Sequence, residues 1–128
     1  MNKKPKLKLI PLEKTAVDLY DLTEYELLMK IYECGGWKWR GGDLPTEYDQ
    51  LKMPYPSNGK VCIDAGVDGR QDGKYNEGIF GFDNRETYSR EHWKIISLQE
   101  FLNLQTPKIT SGKIKEINKW FTKHKYLF

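Results

Sequence analysis

The fold is decided by one stretch, Trp93-Lys94-Ile95-Ile96-Ser97-Leu98-Gln99-Glu100-Phe101-Leu102. Its first four residues are mostly large and apolar, and they predict the most buried strand of the domain. Ser97 and Glu100 have the spacing of a capping box, in which each side chain binds the other residue's backbone amide at a helix start. Phe101 and Leu102 supply the apolar face of that helix. The stretch therefore predicts a strand over 93–96 that runs directly into a helix over 98–105.

A second helix is predicted upstream. Thr23-Glu24-Tyr25-Glu26 also has capping-box spacing, and apolar residues then recur at helical intervals as far as Tyr32. Gly35 follows the last turn, where a glycine can adopt the left-handed conformation that closes a helix. We therefore predict a helix over 24–34.

Short strand patterns occupy most of the remaining body. They predict strands at 37–39, 60–65, 78–82 and 93–96, with a short polar helix at 84–92. The segment 44–58 has three prolines and no sustained period, which predicts a long loop. Together the patterns predict an α+β fold, in which a small, mainly antiparallel sheet of about four strands is packed by the helices 24–34 and 98–105.

The two ends of the chain differ from this body. Leu7, Leu9 and Leu12 alternate with polar residues and predict an edge strand or an extended arm over 1–12. Thr106-Pro107 ends the helix before it, and Ser111 is the predicted cap of a C-terminal helix. That helix carries one apolar stripe, formed by Ile114, Ile117, Trp120 and Phe121. The expected organisation is an arm (1–12), an α+β body (13–106) and a basic C-terminal helix (107–128).

Charge is distributed unevenly along the chain. The 128 residues carry a net charge of +3. Residues 1–8 contribute +4, residues 9–107 contribute −6 and residues 108–128 contribute +5. An acidic body with two basic ends predicts that electrostatics govern the choice of partner, through one of two surfaces of opposite sign.

The sequence lacks the patterns of a membrane-spanning or exported protein. No stretch approaches the roughly 20 consecutive apolar residues that a bilayer span requires. The lysine-rich start has no apolar segment or cleavage site of a signal peptide. We expect a cytoplasmic location, without a membrane partner.

Motifs for catalysis or metal binding are also missing. Cys34 and Cys62 are far apart, have no CxxC spacing and predict two buried thiols. His92 and His124 have no adjacent nucleophile or carboxylate pair of recognisable spacing. The acids Asp64, Asp68, Asp72 and Glu77 do not follow the alternation of a calcium loop, and their Asp-Gly pairs favour hairpin turns. We therefore predict no enzyme activity, no cofactor and no metal site.

Several short motifs follow the predicted 24–34 helix in a characteristic order: Gly35-Gly36-Trp37-Lys38-Trp39, Leu44-Pro45-Thr46-Glu47-Tyr48, Val61-Cys62-Ile63, Gly78-Ile79-Phe80-Gly81 and the 93–102 stretch. This order resembles that of small, mostly uncharacterised proteins encoded by phages and mobile elements of low-GC Gram-positive bacteria. The resemblance covers 25–104. Such accessory proteins often inhibit host defence, including CRISPR systems, so the resemblance implies an anti-defence function in the host bacterial cytoplasm.

The first functional hypothesis is therefore a non-catalytic inhibitor. It would cover the basic surface of a host defence protein, such as a nucleic-acid-handling nuclease or effector complex, with its acidic and aromatic loops. The predicted partner-binding residues are Trp37, Trp39, Arg40, Asp43, Glu47, Tyr48, Asp49, Tyr55, Asp68 and Asp72. The same aromatic residues could instead fill the core or line a small-ligand pocket.

The alternative hypothesis is direct nucleic-acid binding through the basic ends. Lysines of the C-terminal helix would contact phosphates while its tryptophan stacks or packs. The residues predicted for this role are Lys113, Lys115, Lys119, Trp120, Lys123 and Lys125. The apolar stripe of the helix could also dock on the body or pair with a second copy of the chain as a homodimer. A nucleotide-signal sponge or a small enzyme is the third hypothesis.

Overall fold

A computed structural model describes residues 3–47, 61–68 and 76–124. Its strands β1 to β8 are Thr15–Asp18, Lys38–Trp39, Val61–Asp64, Val67–Asp68, Asn76–Glu77, Ile79–Phe80, Phe82–Asn84 and Lys94–Ser97. Its helices α1 to α4 are Leu22–Cys34, Arg85–Arg90, Leu98–Leu104 and Ser111–His124, with a 3₁₀ turn at Pro45–Glu47. None of the helices in these ranges is both long and apolar enough to cross a lipid bilayer.

Four strands form one sheet in the order β7–β3–β1–β8. β1 pairs with β3 antiparallel and with β8 parallel, and β3 pairs with β7 antiparallel. Two short ribbons stand beside this sheet, β2 with β6 and β4 with β5. The predicted α+β fold is confirmed, because the sheet has mainly antiparallel pairs, helices pack on it and a C-terminal helix follows.

Each face of the sheet contributes to a separate cluster of buried residues. Successive side chains of a strand point to opposite faces. Val17, Ile63 and Ile96 therefore lie in the larger cluster with α1, α3 and α4. Their neighbours Ala16 and Cys62 lie in a smaller cluster with a tyrosine of α2. The sheet thus has apolar packing on both faces.

The strand order corrects one expectation. β1 is a central strand, with Ala16 and Val17 fully buried, although no strand was predicted at Thr15–Asp18. The segment predicted as the most buried strand, β8, lies instead at the edge of the sheet, and Lys94 and Ser97 are exposed. Its two isoleucines are adjacent and pack on opposite faces of the sheet, Ile96 in the larger cluster and Ile95 against the smaller one.

Residues 3–12 form an extended arm rather than an edge strand. The amide of Leu7 donates to the carbonyl of Cys34 at 3.0 Å. The side chain of Gln105 accepts from the amide of Ile10 at 2.6 Å and donates to its carbonyl at 3.2 Å. Hydrogen bonds of its main chain therefore attach the arm to α1 and to the end of α3.

The helix starts follow local capping chemistry. The predicted capping box at residues 23–26 is wrong, because α1 begins two residues earlier than predicted, with Asp21 as its cap. Asp21 accepts from the amide of Glu24 at 2.9 Å, and Glu24 accepts from the amide of Tyr20 at 2.8 Å. The capping box of Ser97 and Glu100 at the start of α3 is confirmed.

The C-terminal helix α4 packs on the body. Its cap is Thr110, one residue before the predicted Ser111, because the Thr110 hydroxyl accepts the amide of Lys113 at 3.3 Å. Ile117 and Phe121 are fully buried in the larger core cluster. The apolar stripe is thus largely covered by the chain's own core.

Candidate functional site

The arm and α4 border a cavity of about 330 Å³. It brings the two basic ends of the chain together, because the arm supplies one wall and α4 supplies the other. The lining residues are Lys3, Pro5, Glu116, Lys119, Trp120, Lys123 and His124.

The rotation of α4 explains which of its residues reach the cavity. Ile117 and Phe121 are four residues apart and point into the core. Lys119 and Lys123 have the same spacing on an exposed part of the helix. Residues four apart are neighbours on a helix surface, so each pair forms a short stripe. Packing of the apolar stripe therefore orients the lysine stripe toward the cavity.

Trp120 and His124 form a stacked aromatic pair at the cavity wall. Their ring centroids are 4.3 Å apart and their planes differ by 9°. His124 Nδ1 lies 2.9 Å from the backbone carbonyl of Trp120. A carbonyl only accepts hydrogen bonds, so Nδ1 is the donor in this contact. The Phe121 ring contacts the Trp120 indole edge-on, with the ring centroids 5.1 Å apart, and this contact further restricts the orientation of the indole.

The cavity is electropositive. Three of its lining residues are lysines, and Glu116 is the carboxylate among them. Lys113 lies 3.1 Å from Glu116, so a lysine outside the cavity offsets much of that negative charge. Both side chains are substantially exposed, and the pair contributes little to stability. Its main consequence is that the positive charge of the cavity lysines remains available to an anion.

A buried carboxylate positions the arm beside the cavity. Lys4 Nζ lies 3.4 Å from the Glu33 carboxylate, whose side chain is only 1% exposed. The hydroxyl of Thr46 donates to the same carboxylate at 2.6 Å. Lys4 also lies 5.9 Å from the centre of the Trp120 ring, within cation–π range. These contacts hold the arm, and with it Lys3, against α4.

The structure brings together only part of the basic set predicted from the sequence. Lys119, Trp120 and Lys123 line the cavity, whereas Lys113 pairs with Glu116. Lys115 is exposed on α4 away from the cavity lining, and Lys125 lies outside the described residues.

Four cavity residues, Lys3, Pro5, Glu116 and His124, were not among the predicted site residues. The spacing of Trp120 and His124, four residues apart on a helix, is a signal that could have identified the stacked pair. No local pattern could have placed Lys3 beside α4, because that contact depends on how the arm docks.

The two tryptophans of the predicted partner-binding patch are buried in the core. Trp37 is 6% exposed and packs against Tyr32 at a centroid distance of 4.7 Å. Trp39 is 3% exposed, contacts Phe80 at 4.5 Å and donates from Nε1 to the carbonyl of Pro45 at 3.3 Å. Neither indole is accessible to a partner, because burying their large apolar surfaces stabilises the fold.

Arg40 and Asp43 line a second cavity of about 230 Å³. The Arg40 guanidinium lies 3.8 Å from Asp64, a carboxylate that is fully buried in β3. Asp64 also accepts from the amide of Gly81 at 2.8 Å and from the hydroxyl of Tyr88. Arg40 therefore neutralises an internal carboxylate, as buried charges require.

The remaining acidic residues divide into two groups. Asp43 and Glu47 are exposed, as an acidic contact surface requires. For Asp68 the structure describes the backbone, in β4. Outside the described residues lie Tyr48, Asp49, Tyr55 and Asp72.

Burial favours the neutral forms of one tyrosine and of both cysteines in the core. Burial, and then the negative charge of Asp64, raises the pKa of Tyr32 well above its usual value. Burial raises the pKa of Cys34 to about 11 and that of Cys62 to about 12. Both cysteines are free thiols, and neither is activated as a nucleophile near neutral pH.

No family model, curated protein or solved structure matches this chain.

Proposed function

We propose that this protein binds nucleic acid through the cavity between its arm and α4. One observation carries the proposal: lysines from opposite ends of the chain, Lys3 with Lys119 and Lys123, line the same cavity beside the Trp120–His124 stack. Lysines supply mobile positive charges for phosphates, and flat aromatic rings supply surfaces for bases. This combination is typical of nucleic-acid binding that tolerates many sequences.

The residue types indicate how much sequence such a site could distinguish. Base-specific contacts usually require the paired donors of arginine or the amides of asparagine and glutamine. The cavity lining has lysines and aromatic rings instead. We therefore expect an affinity dominated by phosphate contacts, with little preference for base sequence.

Salt dependence of binding tests the proposal. A labelled single strand of about 16 nucleotides is long enough to cover one such site, and its affinity is followed by fluorescence anisotropy. Three cavity lysines predict a slope of about −2 for log K against log salt, or about 15-fold weaker binding between about 50 and 200 mM. The double variant Lys119→Gln/Lys123→Gln should reduce the slope to about −0.7.

A matched control removes the same charge from the body. Lys38 in β2 and Lys94 in β8 are exposed and do not line the cavity. The double variant Lys38→Gln/Lys94→Gln should therefore leave the slope near that of the unmodified protein. Absence of binding at low salt, or an equal loss in both double variants, would refute the proposal.

Inhibition of a host defence protein remains a prediction from the sequence. Its predicted contact surface now lacks the two buried tryptophans, Trp37 and Trp39. The homodimer through α4 also remains a prediction. Ile117 and Phe121, the centre of the stripe that it would use, are buried within the chain itself.

A further inference from the structure

We infer that the cavity accepts one unpaired nucleotide, whose base stacks on the outer face of His124. This inference rests on the proposed nucleic-acid binding and specifies its ligand as single-stranded. It follows from the arrangement of the Trp120–His124 pair and from the size and charge of the cavity.

The first step is that His124 extends an existing stack. One face of its ring stacks on the Trp120 indole, with the ring centroids 4.3 Å apart, yet His124 is an exposed residue. Its opposite face is therefore turned away from the indole. A base placed there would continue the stack by one ring, as unpaired bases do on aromatic side chains.

The second step is that the histidine ring is already held in this orientation. Its Nδ1 donates to the backbone carbonyl of Trp120 at 2.9 Å. Phe121 packs edge-on against the Trp120 indole, and the Lys4 ammonium lies 5.9 Å from the centre of that ring. A ring fixed before binding loses little conformational freedom when the base arrives, so more of the stacking interaction contributes to affinity.

The third step concerns size and charge. A volume of about 330 Å³ is at the lower end of the range that holds single small ligands. Lys119 and Lys123 lie on the same helix as the stack, so one nucleotide could contact the ring with its base and the lysines with its phosphate. A base within a duplex is covered on both faces by its neighbours, and reaching the ring would require unstacking it.

The experiment separates stacking from charge by comparing three labelled ligands with the same number of phosphates. They are a single strand, the same strand made entirely of abasic nucleotides, and a duplex of half the length. We expect the single strand to bind the unmodified protein at least about 5-fold more tightly than either other ligand, because one stacked base adds that much or more.

Variants at His124 identify the stacking surface. His124→Ala should weaken single-strand binding about 5- to 100-fold and leave the abasic strand nearly unchanged. His124→Phe keeps a flat ring and should preserve the preference for the single strand. Lys123→Gln is the matched charge variant, and it should weaken all three ligands by similar factors. Circular dichroism checks that each variant retains its helices.

The outcomes distinguish the two proposals. Equal binding of all three ligands, or a His124→Ala loss that is the same for the abasic strand, would overturn the single-nucleotide inference and leave nucleic-acid binding intact. Failure of every ligand to bind at low salt would overturn both.

Discussion

Replacing Gly66 by alanine should destabilise the protein strongly, because Trp37 occupies the space that a Cβ atom would need. A Cβ built on Gly66 would lie 2.3 Å from Cη2 and 2.5 Å from Cζ3 of the indole. The indole cannot move away easily, since Tyr32 and Phe101 contact it with centroid distances of 4.7 and 6.3 Å. Gly66 also has a φ of +91°, a conformation that residues with a Cβ rarely adopt.

Two contributions set the expected magnitude. The positive φ costs about 1–2 kcal/mol for a residue with a Cβ. Forcing an extra carbon into a packed core costs a further amount of about 1–3 kcal/mol. The free energy of unfolding should therefore fall by about 2–5 kcal/mol, a large part of the roughly 5–15 kcal/mol that stabilises a typical domain.

A second glycine separates the two contributions. Gly36 has a φ of +78°, but a Cβ there would meet no atom within 4 Å. Gly36→Ala should therefore show the backbone cost alone, about 1–2 kcal/mol. Urea unfolding, followed by tryptophan fluorescence and circular dichroism, measures both variants. If Gly66→Ala destabilises the protein no more than Gly36→Ala, the indole does not occupy the position on which this argument depends.

Two further predictions concern the thiols and a helix cap. Burial keeps Cys34 and Cys62 protonated in the folded state, with pKa values raised from 9.0 to about 11 and about 12. The folded protein thus retains protons that the unfolded chain releases. The free energy of unfolding should therefore fall as the pH rises above 9. The urea midpoint measures this loss of stability. Ellman's reagent should label neither thiol until the protein unfolds. Rapid labelling of the folded protein would contradict the burial of the two thiols. Ser97→Ala removes the acceptor for the Glu100 amide and should cost about 1 kcal/mol, whereas Ser97→Asp should retain most of the stability. An unchanged midpoint for Ser97→Ala would show that this cap contributes nothing.

Elements with local determinants were predicted well from the sequence. The junction between β8 and α3 depends on Ser97 and Glu100, which are three residues apart and bind each other's backbone amides. Helix α1 ends at Cys34 as predicted, but Gly36 rather than Gly35 has the left-handed conformation, with a φ of +78° against −87° at Gly35. Both features arise from contacts within a single helical turn, so neighbouring residues suffice to indicate them.

The central strand β1 shows why other elements escaped prediction. Thr15–Asp18 is four residues long and has only Ala16 and Val17 as buried apolar residues. Its strand conformation is stabilised by pairing with β3 and β8, which are distant in the sequence. A short segment with two strand partners therefore carries little local pattern of its own.

The candidate site was predicted in part. Lys119, Trp120 and Lys123 were recognised because basic and aromatic residues alternate on one amphipathic helix. Lys3 and the anchoring pair of Lys4 with Glu33 were not, because they depend on the path of the arm across α1.

By itself, the sequence determined the helices, the capping box of α3 and the separation of charge into an acidic body with two basic ends. These properties follow from residues close together along the chain. Only the tertiary structure decided that Trp37 and Trp39 are core residues and that Lys3 meets Lys123 across one cavity. The physical reason is that burial and long-range contact depend on how distant segments pack, and the apolar area removed from water selects that packing. The two basic ends thereby line one cavity, beside the Trp120–His124 stack.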